Sequence, residues 1–295
     1  MFSVRIGVKP PALPTRSRDT LSTVRIASLQ PSVSITLAAL GRLDDLCAHT
    51  RYCLDALPEL APRNLPVLHD SWSFAAQPHD LKSDNAQLAA AKPDLLIASV
   101  PYRLETLAAI LRSGYPVLAL APHTLADIAN DIRLIASVLG ASDAGETVIA
   151  SMHATLHGTH TYTATARTQP LVYCEEWGKP LIRSQPWVAE LVATAHGRFL
   201  GTPGAHTTPE EVALADPDVI LLAWCGAGNR VPLEKVIAQR NWRHLRAVQN
   251  RRIHVVPDEF FNTPAPTLTQ GLACIASALH PDLYAPHPDL ITLPS

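Results

Sequence analysis

AKPDLLIAS (residues 91–99) and ADPDVILLA (residues 215–223) are two versions of one phrase. Each carries the end of a helix, a proline that stops it, an aspartate, and an unbroken apolar run. Proline lacks the N–H that a continuing helix needs. A short continuous apolar run suits a strand buried on both faces, as in a parallel sheet. Helix-to-strand turns commonly take this form. The repetition also fits two similar lobes built on one plan.

Working outward, further apolar runs read as strands: VRIASL (24–29), DLCAHT (45–50), PVLALA (116–121), PLVYCE (170–175) and RIHVVP (252–257). Between them SITLAALGRL, LETLAAILRSG and WVAELVATAHG carry apolar residues near a 3.6 period. Strands alternating with helices imply an α/β fold with mainly parallel sheets, here two Rossmann-like lobes. Ligands of such sheets sit beyond the carboxyl ends of the strands, so two facing lobes would enclose a cleft.

From Thr124 to about Tyr162, apolar residues recur at Ile128, Ile132, Ile135, Val138, Leu139, Val148, Ile149 and Met152. This predicts one long α-helix of about 50 Å or more, bent at Gly140 or Gly145 and joining the lobes as a strut. The expected layout is a leader over 1–23, an N-terminal lobe over 24–123, the inter-lobe helix over 124–164 and a C-terminal lobe over 165–295. A single strut resists hinge bending, so little closure on ligand binding is expected.

The 295 residues are 47% hydrophobic and 17% charged, enough for a sizeable core. A net charge of −2 with mixed signs offers no bulk attraction to nucleic acid or anionic membrane. Cys47, Cys53, Cys174, Cys225 and Cys274 form an odd set without a CxxC pair, which is neither a disulfide framework nor a zinc site. Free thiols suit a reducing compartment. The first 23 residues are broken by Arg5, Lys9, Pro10, Pro11 and Pro14 and do not read as a signal peptide. The chain as written therefore fits the cytoplasm, and a different start or a processed precursor fits the periplasm. No apolar run of about 18 residues suggests a membrane span.

The segments RIASLQPSVSITLAALGRLDDLCAHTRYC (25–53), KPDLLIAS (92–99), EEWGKPLIRSQPWVAELVATAHG (175–197), PEEVALADPDVILLAWCG (209–226) and NWRHLRAVQNRRIHVVPDEFFNTPAPTLTQGL (241–272) resemble the substrate-binding proteins of cobalamin, haem and siderophore ABC importers. Trp177, Trp187 and Trp224-Cys225-Gly226 look most like the cobalamin-binding members. The resemblance implies a monomeric binding protein for a bulky cyclic metal-containing ligand. A corrinoid such as cobalamin stands first, with a ferric siderophore or haem as the alternative. No cofactor beyond that ligand is implied. The protein would serve an ABC importer or act as a soluble carrier.

Strand exits nominate the ligand contacts: Tyr52, Cys53, Trp72, Tyr102, Glu175, Trp177, Trp187, Trp224, Cys225, Phe260 and Phe261. Flat rings with polar tips suit a planar macrocycle. Each aromatic alone also fits a cap on the core beneath it. His153, His157 and His160 share a helix face that fits a metal or a solvated stripe. No HExxH, GxSxG, P-loop or GxGxxG is present. An enzyme reading would be a chelatase-like tetrapyrrole enzyme, with Glu175 and His69 as the acid–base pair. In importer proteins of this type an acidic residue on each lobe meets arginines of the permease. The matching positions are Glu210 in the second lobe and Ala86 in the first, with Asp84 and Asn85 just before it, so one carboxylate is absent or displaced.

Overall fold

A computed structural model describes residues 24–68, 81–100 and 104–293. The first sheet contains β1 (Ile26–Ser28), β2 (Leu46–Thr50), β3 (Val67–Leu68), β4 (Leu95–Ser99) and β5 (Val117–Leu120), ordered β3-β2-β1-β4-β5 and parallel throughout. Its helices are α1 (Pro31–Ala39), α2 (Arg51–Ala56), α3 (Leu81–Ala91) and α4 (Leu104–Leu111). Two helices follow, α5 (Leu125–Val138) and α6 (Ser142–Thr163).

The second sheet begins with β6 (Leu171–Gly178), β7 (Leu181–Arg183), α7 (Pro186–Thr194), β8 (Arg198–Phe199), β9 (His206–Thr207) and α8 (Pro209–Ala215). It continues through β10 (Val219–Leu222), α9 (Leu233–Gln239), α10 (Arg246–Gln249), β11 (Ile253–Val255), α11 (Leu268–Leu279) and β12 (Ile291–Thr292). The order is β12-β11-β10-β6-β7-β9, with β8 beside the start of β6. β6, β10 and β11 are parallel; β7, β9 and β12 add antiparallel pairings, with β9 and β12 at the edges. The architecture is thus a two-lobed α/β fold with a parallel sheet and a mixed one. The short strands β3, β7, β8, β9 and β12 were silent in the sequence because they are too short to show a period and do not lie in long apolar runs.

The repeated phrase takes the same shape twice. Lys92 and Asp216 both adopt left-handed backbone, at φ 48° and 42°, directly after α3 and α8. Asp94 and Asp218 then clamp the start of the neighbouring central strand. Each accepts from a backbone N–H there, Arg25 for Asp94 at 2.9 Å and Leu171 for Asp218 at 2.8 Å. Each also donates its own N–H back to the same residue's carbonyl at 2.8 Å.

The single strut is corrected to two helices. Gly140 sits at φ 63°, with its N–H on the Ser137 carbonyl and the Ala141 N–H on Ala136 at 2.8 Å. This pair of bonds is a Schellman stop, which glycine makes without steric cost. The turn folds α6 back against α5. A Cβ on Gly145 would lie 2.7 Å from the Ala136 Cβ, and Arg133 pairs with Glu146 at 2.7 Å. The longer helix, α6, has 22 residues and spans about 33 Å. α5 begins at Thr124, whose hydroxyl caps Asp127 N while Asp127 caps Thr124 N. One apolar cluster then runs from Val33 and Leu37 on α1 through Ile128, Ile132 and Ile135 to Ile149, Trp187 and Leu191. The lobes therefore share a continuous core. Polar ties secure both ends of α5: Leu125 N donates to Glu190 at 2.8 Å, and Arg42 donates to the Leu139 carbonyl at 2.8 Å.

On α5, burial and then the neighbouring Asp127 charge push the Asp131 carboxyl up to about 6. A carboxyl raised on folding costs stability above its folded pKa and costs nothing below its unfolded one. Asp131→Asn is expected to stabilise the protein by about 1 kcal/mol at pH 7, allowing for partial exposure. The gain should vanish near pH 4. Urea melts at the two pH values check this, and an equal gain at both would reject the assignment.

Candidate functional site

The carboxyl ends of both sheets border one cavity of about 840 Å³, within the usual range for small-molecule sites. From the first lobe come Gln30, Ser32, Tyr52, Asp55, Val100 and His123; from the second come Glu176, Gln185, Trp187, Cys225, Arg230, Asp258, Phe260 and Asn262. Most lie just past a strand, as the switch-point rule for open α/β sheets requires.

Of the nominated contacts, Tyr52, Trp187, Cys225 and Phe260 line this cavity. Trp187 enters through the start of α7 and is pinned by its indole N–H on the Phe261 carbonyl at 2.7 Å. On Tyr52, the Arg51 guanidinium donates to the phenol oxygen at 2.9 Å and lies over the ring at 4.7 Å. Cys225 offers its thiol to Glu176 at 3.8 Å. Burial, then the Glu176 and Asp258 charges, raise that thiol well above its ordinary value, so it is protonated.

Glu175, Trp224, Cys53, Phe261 and Trp177 are not among the lining residues. Successive strand residues point to opposite faces, so Glu175 and Glu176 part company. Glu175 is fully buried behind the wall with Tyr173, two residues back. It accepts the Tyr173 hydroxyl at 2.5 Å, the Trp224 indole N–H at 2.7 Å and both arms of Arg240 at 2.9 Å. Arg240 also lies over the rings of Trp224 and Trp242, at 5.8 and 4.7 Å. Trp224 thus serves this internal cluster. Cys53 is buried against Ser28 and Thr50 at 3.7 and 3.4 Å. Phe261 is a core residue, and Trp177 is exposed with its N–H on the Lys179 carbonyl at 2.9 Å. Trp72, Tyr102 and His69 lie outside the described residues, as does the leader. His153, His157 and His160 are exposed along α6. Glu210 is exposed on the first turn of α8.

Sequence reasoning passed over Gln30, Ser32, Asp55, Gln185, Asp258 and Asn262. One signal was available: Gln-Pro opens a helix in both lobes, at 30–31 and 185–186. Asp258 accepts from Gly226 N at 2.7 Å and Gly228 N at 2.9 Å, bonds that need the left-handed backbone those glycines adopt. Gln185 donates its amide to Glu176 at 2.6 Å. Asp55, Glu176, Asp258, Glu259 and Asp289 make the wall rich in carboxyls; Arg230 and His123 are the basic side chains among the described lining residues. Burial is the leading cause that raises the carboxyl groups of Glu176, Asp258 and Glu259.

Among the described residues no group of three or more His, Cys, Asp or Glu could hold a metal ion, and no helix is long and apolar enough to cross a membrane.

Solved structures share this fold. A periplasmic haem-binding protein from Pseudomonas aeruginosa superposes with TM-score 0.77 at 20% identity, over 92% of this chain and 98% of that one. The periplasmic haem-binding protein RhuT from Roseiflexus sp. RS-1 gives 0.73 at 21%, over 89% and 100%. The periplasmic vitamin B12 binding protein BtuF of Vibrio cholerae gives 0.66 at 21%, over 87% and 96%. No curated protein matches the chain by sequence. The family described as "Periplasmic binding protein" matches residues 26–260, and the chain belongs to that family.

Proposed function

We propose that this protein captures a flat metal-bearing tetrapyrrole between its lobes and presents it to an ABC importer permease, with haem as the favoured ring. As a member of a solute-binding family it binds and does not catalyse. The observation that carries the proposal is the cavity at the strand ends, where Tyr52, Trp187 and Phe260 offer aromatic surface to a flat ring. Haem is favoured because a tyrosine phenol is an established axial ligand of haem iron. Here Tyr52 lines the cavity, with the Arg51 guanidinium donating to its oxygen. The haem-binding neighbours also superpose more completely than the B12-binding one. One observation favours a corrinoid instead: a carboxyl-rich wall repels propionates and accepts from amide fringes.

Titration with haemin, cyanocobalamin and a ferric siderophore, read by tryptophan quenching and visible spectra, separates these ligands. Haemin is expected to bind at micromolar Kd or tighter, roughly −8 kcal/mol. Tyr52→Phe should shift its spectrum. The wall supplies a pH signature. Carboxyls with raised pKa values protonate as pH falls, repulsion of an anionic ring falls with them, and haemin should bind several-fold more tightly at pH 5.5 than at pH 8. Cyanocobalamin bound without haemin would transfer the reading to corrinoids, and binding of none of the three would end it.

Glu210 and Leu214 lie one turn apart on α8, with Leu214 90% exposed, and suit a docking face. Glu210→Ala is expected to lower uptake reconstituted with the permease of the same organism while leaving ligand affinity unchanged. Unaltered uptake would remove Glu210 from the docking face.

A further inference from the structure

The first-lobe wall of the cavity contains two polar side chains with nothing to bind. Gln30 is 6% exposed and Ser32 4%; both line the cavity, and neither Gln30 Nε2 nor Ser32 Oγ has a hydrogen-bond partner. Buried donors are rarely left unpaired, because their desolvation is not recovered. Their neighbours are satisfied. Ser28 donates to the Gln30 carbonyl at 2.9 Å, Ser34 to Ser28 at 2.8 Å, and Thr36 to the Ser32 carbonyl at 2.7 Å. The unpartnered atoms left over belong to side chains that line the cavity.

Both stand at the start of α1, a nine-residue helix with Gln30 as its N-cap, Pro31 in its first turn, no side-chain cap and no acidic residue there. The first N–H groups of a helix lack internal partners and carry the positive end of its dipole. The second lobe shows how such a start is completed. α7 is also opened by a Gln-Pro pair, and its Gln185 amide donates to the Glu176 carboxyl at 2.6 Å. One helix start thus holds a carboxyl of the protein itself, and its counterpart in the first lobe holds none.

We infer that Gln30, Ser32 and the start of α1 form a subsite that receives a carboxylate on the fringe of the bound ligand. The inference rests on the cavity being the binding site, as proposed above. It gives an anionic ring one favourable anchor in a wall otherwise rich in carboxyls, and so fixes which edge enters first.

The test has two arms. In the first, sodium acetate is titrated into ¹⁵N-labelled protein, with sodium chloride as control. Acetate is expected to shift the Gln30 side-chain amide and the Ser32 backbone N–H; chloride is not. In the second, haemin and haemin dimethyl ester are compared on wild type, Gln30→Glu and Ser32→Ala, with circular dichroism to confirm folding. Wild type should prefer the free acid about tenfold, Gln30→Glu should abolish that preference, and Ser32→Ala should reduce it. Acetate that shifts neither group, or an ester bound as tightly as the acid, overturns the subsite. Failure of wild type to bind either porphyrin ends the haem reading instead, and the acetate shifts then decide the subsite by themselves.

Discussion

Arg240→Met is expected to cost the protein about 3–5 kcal/mol of stability, lowering Tm by on the order of 10 °C. Arg240 and Glu175 are almost wholly enclosed, with side-chain exposures of 8% and 0%, and meet through two parallel bonds of 2.9 Å. Removing the guanidinium leaves a carboxylate in apolar surroundings with only the Tyr173 hydroxyl and Trp224 indole N–H to stabilise it. Packing is lost too, since the guanidinium lies over the Trp242 ring at 4.7 Å. Adding Glu175→Gln should recover part of the loss, because the amide oxygen still accepts while the buried charge is gone. Thermal and urea melts of wild type, both single variants and the double variant give the coupling. A loss below about 1 kcal/mol for Arg240→Met would show that water reaches the pair. The same variants separate support from ligand contact: below their melting points, ligand affinity should change little.

Gly271→Ala is expected to destabilise the protein by about 1–3 kcal/mol and to weaken ligand binding roughly tenfold. In an open helix the same change stabilises by up to about 1 kcal/mol, because glycine is a poor helix former. Packing reverses the sign here. A Cβ at Gly271 on α11 would overlap the Phe260 carbonyl oxygen and lie 3.2 Å from Phe261 Cδ1. A backbone oxygen cannot rotate away as a side chain would. The turn Asp258–Phe260 must move, and all three of its residues line the cavity. Gly158 on α6 is the control: nothing lies within 4 Å of its added Cβ, so Gly158→Ala should be neutral or stabilising. Equal effects at the two positions would mean that Phe260 yields without consequence for the site.

Seven strands, β1, β2, β4, β5, β6, β10 and β11, were legible because each lies in an apolar run bounded by turn residues, and local sequence encodes that pattern. The two-lobed plan was legible in the same way, through the repeated phrase around Pro93 and Pro217. Their left-handed Lys92 and Asp216, and the matching clamps of Asp94 and Asp218, show that the echo is one structural device used twice. The break at Gly140 was half legible. The glycine was visible as a bend, but the apolar period runs on across it into α6. Only the packing of Gly145 on Ala136 turns the bend into a fold-back.

The cavity was legible as a place and not as a set of side chains. Strand exits can be read locally, so Tyr52, Trp187, Cys225 and Phe260 were found. Which of two adjacent residues faces the cavity depends on the parity of a strand within its sheet, and that is set by distant partners. Glu175 and Glu176 are chemically equivalent in the sequence. Arg240, 65 residues further on, draws Glu175 inward, and Gln185 and Cys225 hold Glu176 at the wall. The Gln-Pro pair marked Gln30 as a helix start, but nothing local marked its amide or the Ser32 hydroxyl as unpartnered, because an unpartnered donor is defined by what fails to reach it. The sequence by itself therefore determined the fold class, the two-lobed plan and the end of the sheets where the cavity opens, through short-range periodicity and one repeated phrase. The tertiary structure decided which polar groups are spent on one another inside the protein and which remain for a ligand, because that depends on long-range contacts that local pattern does not record.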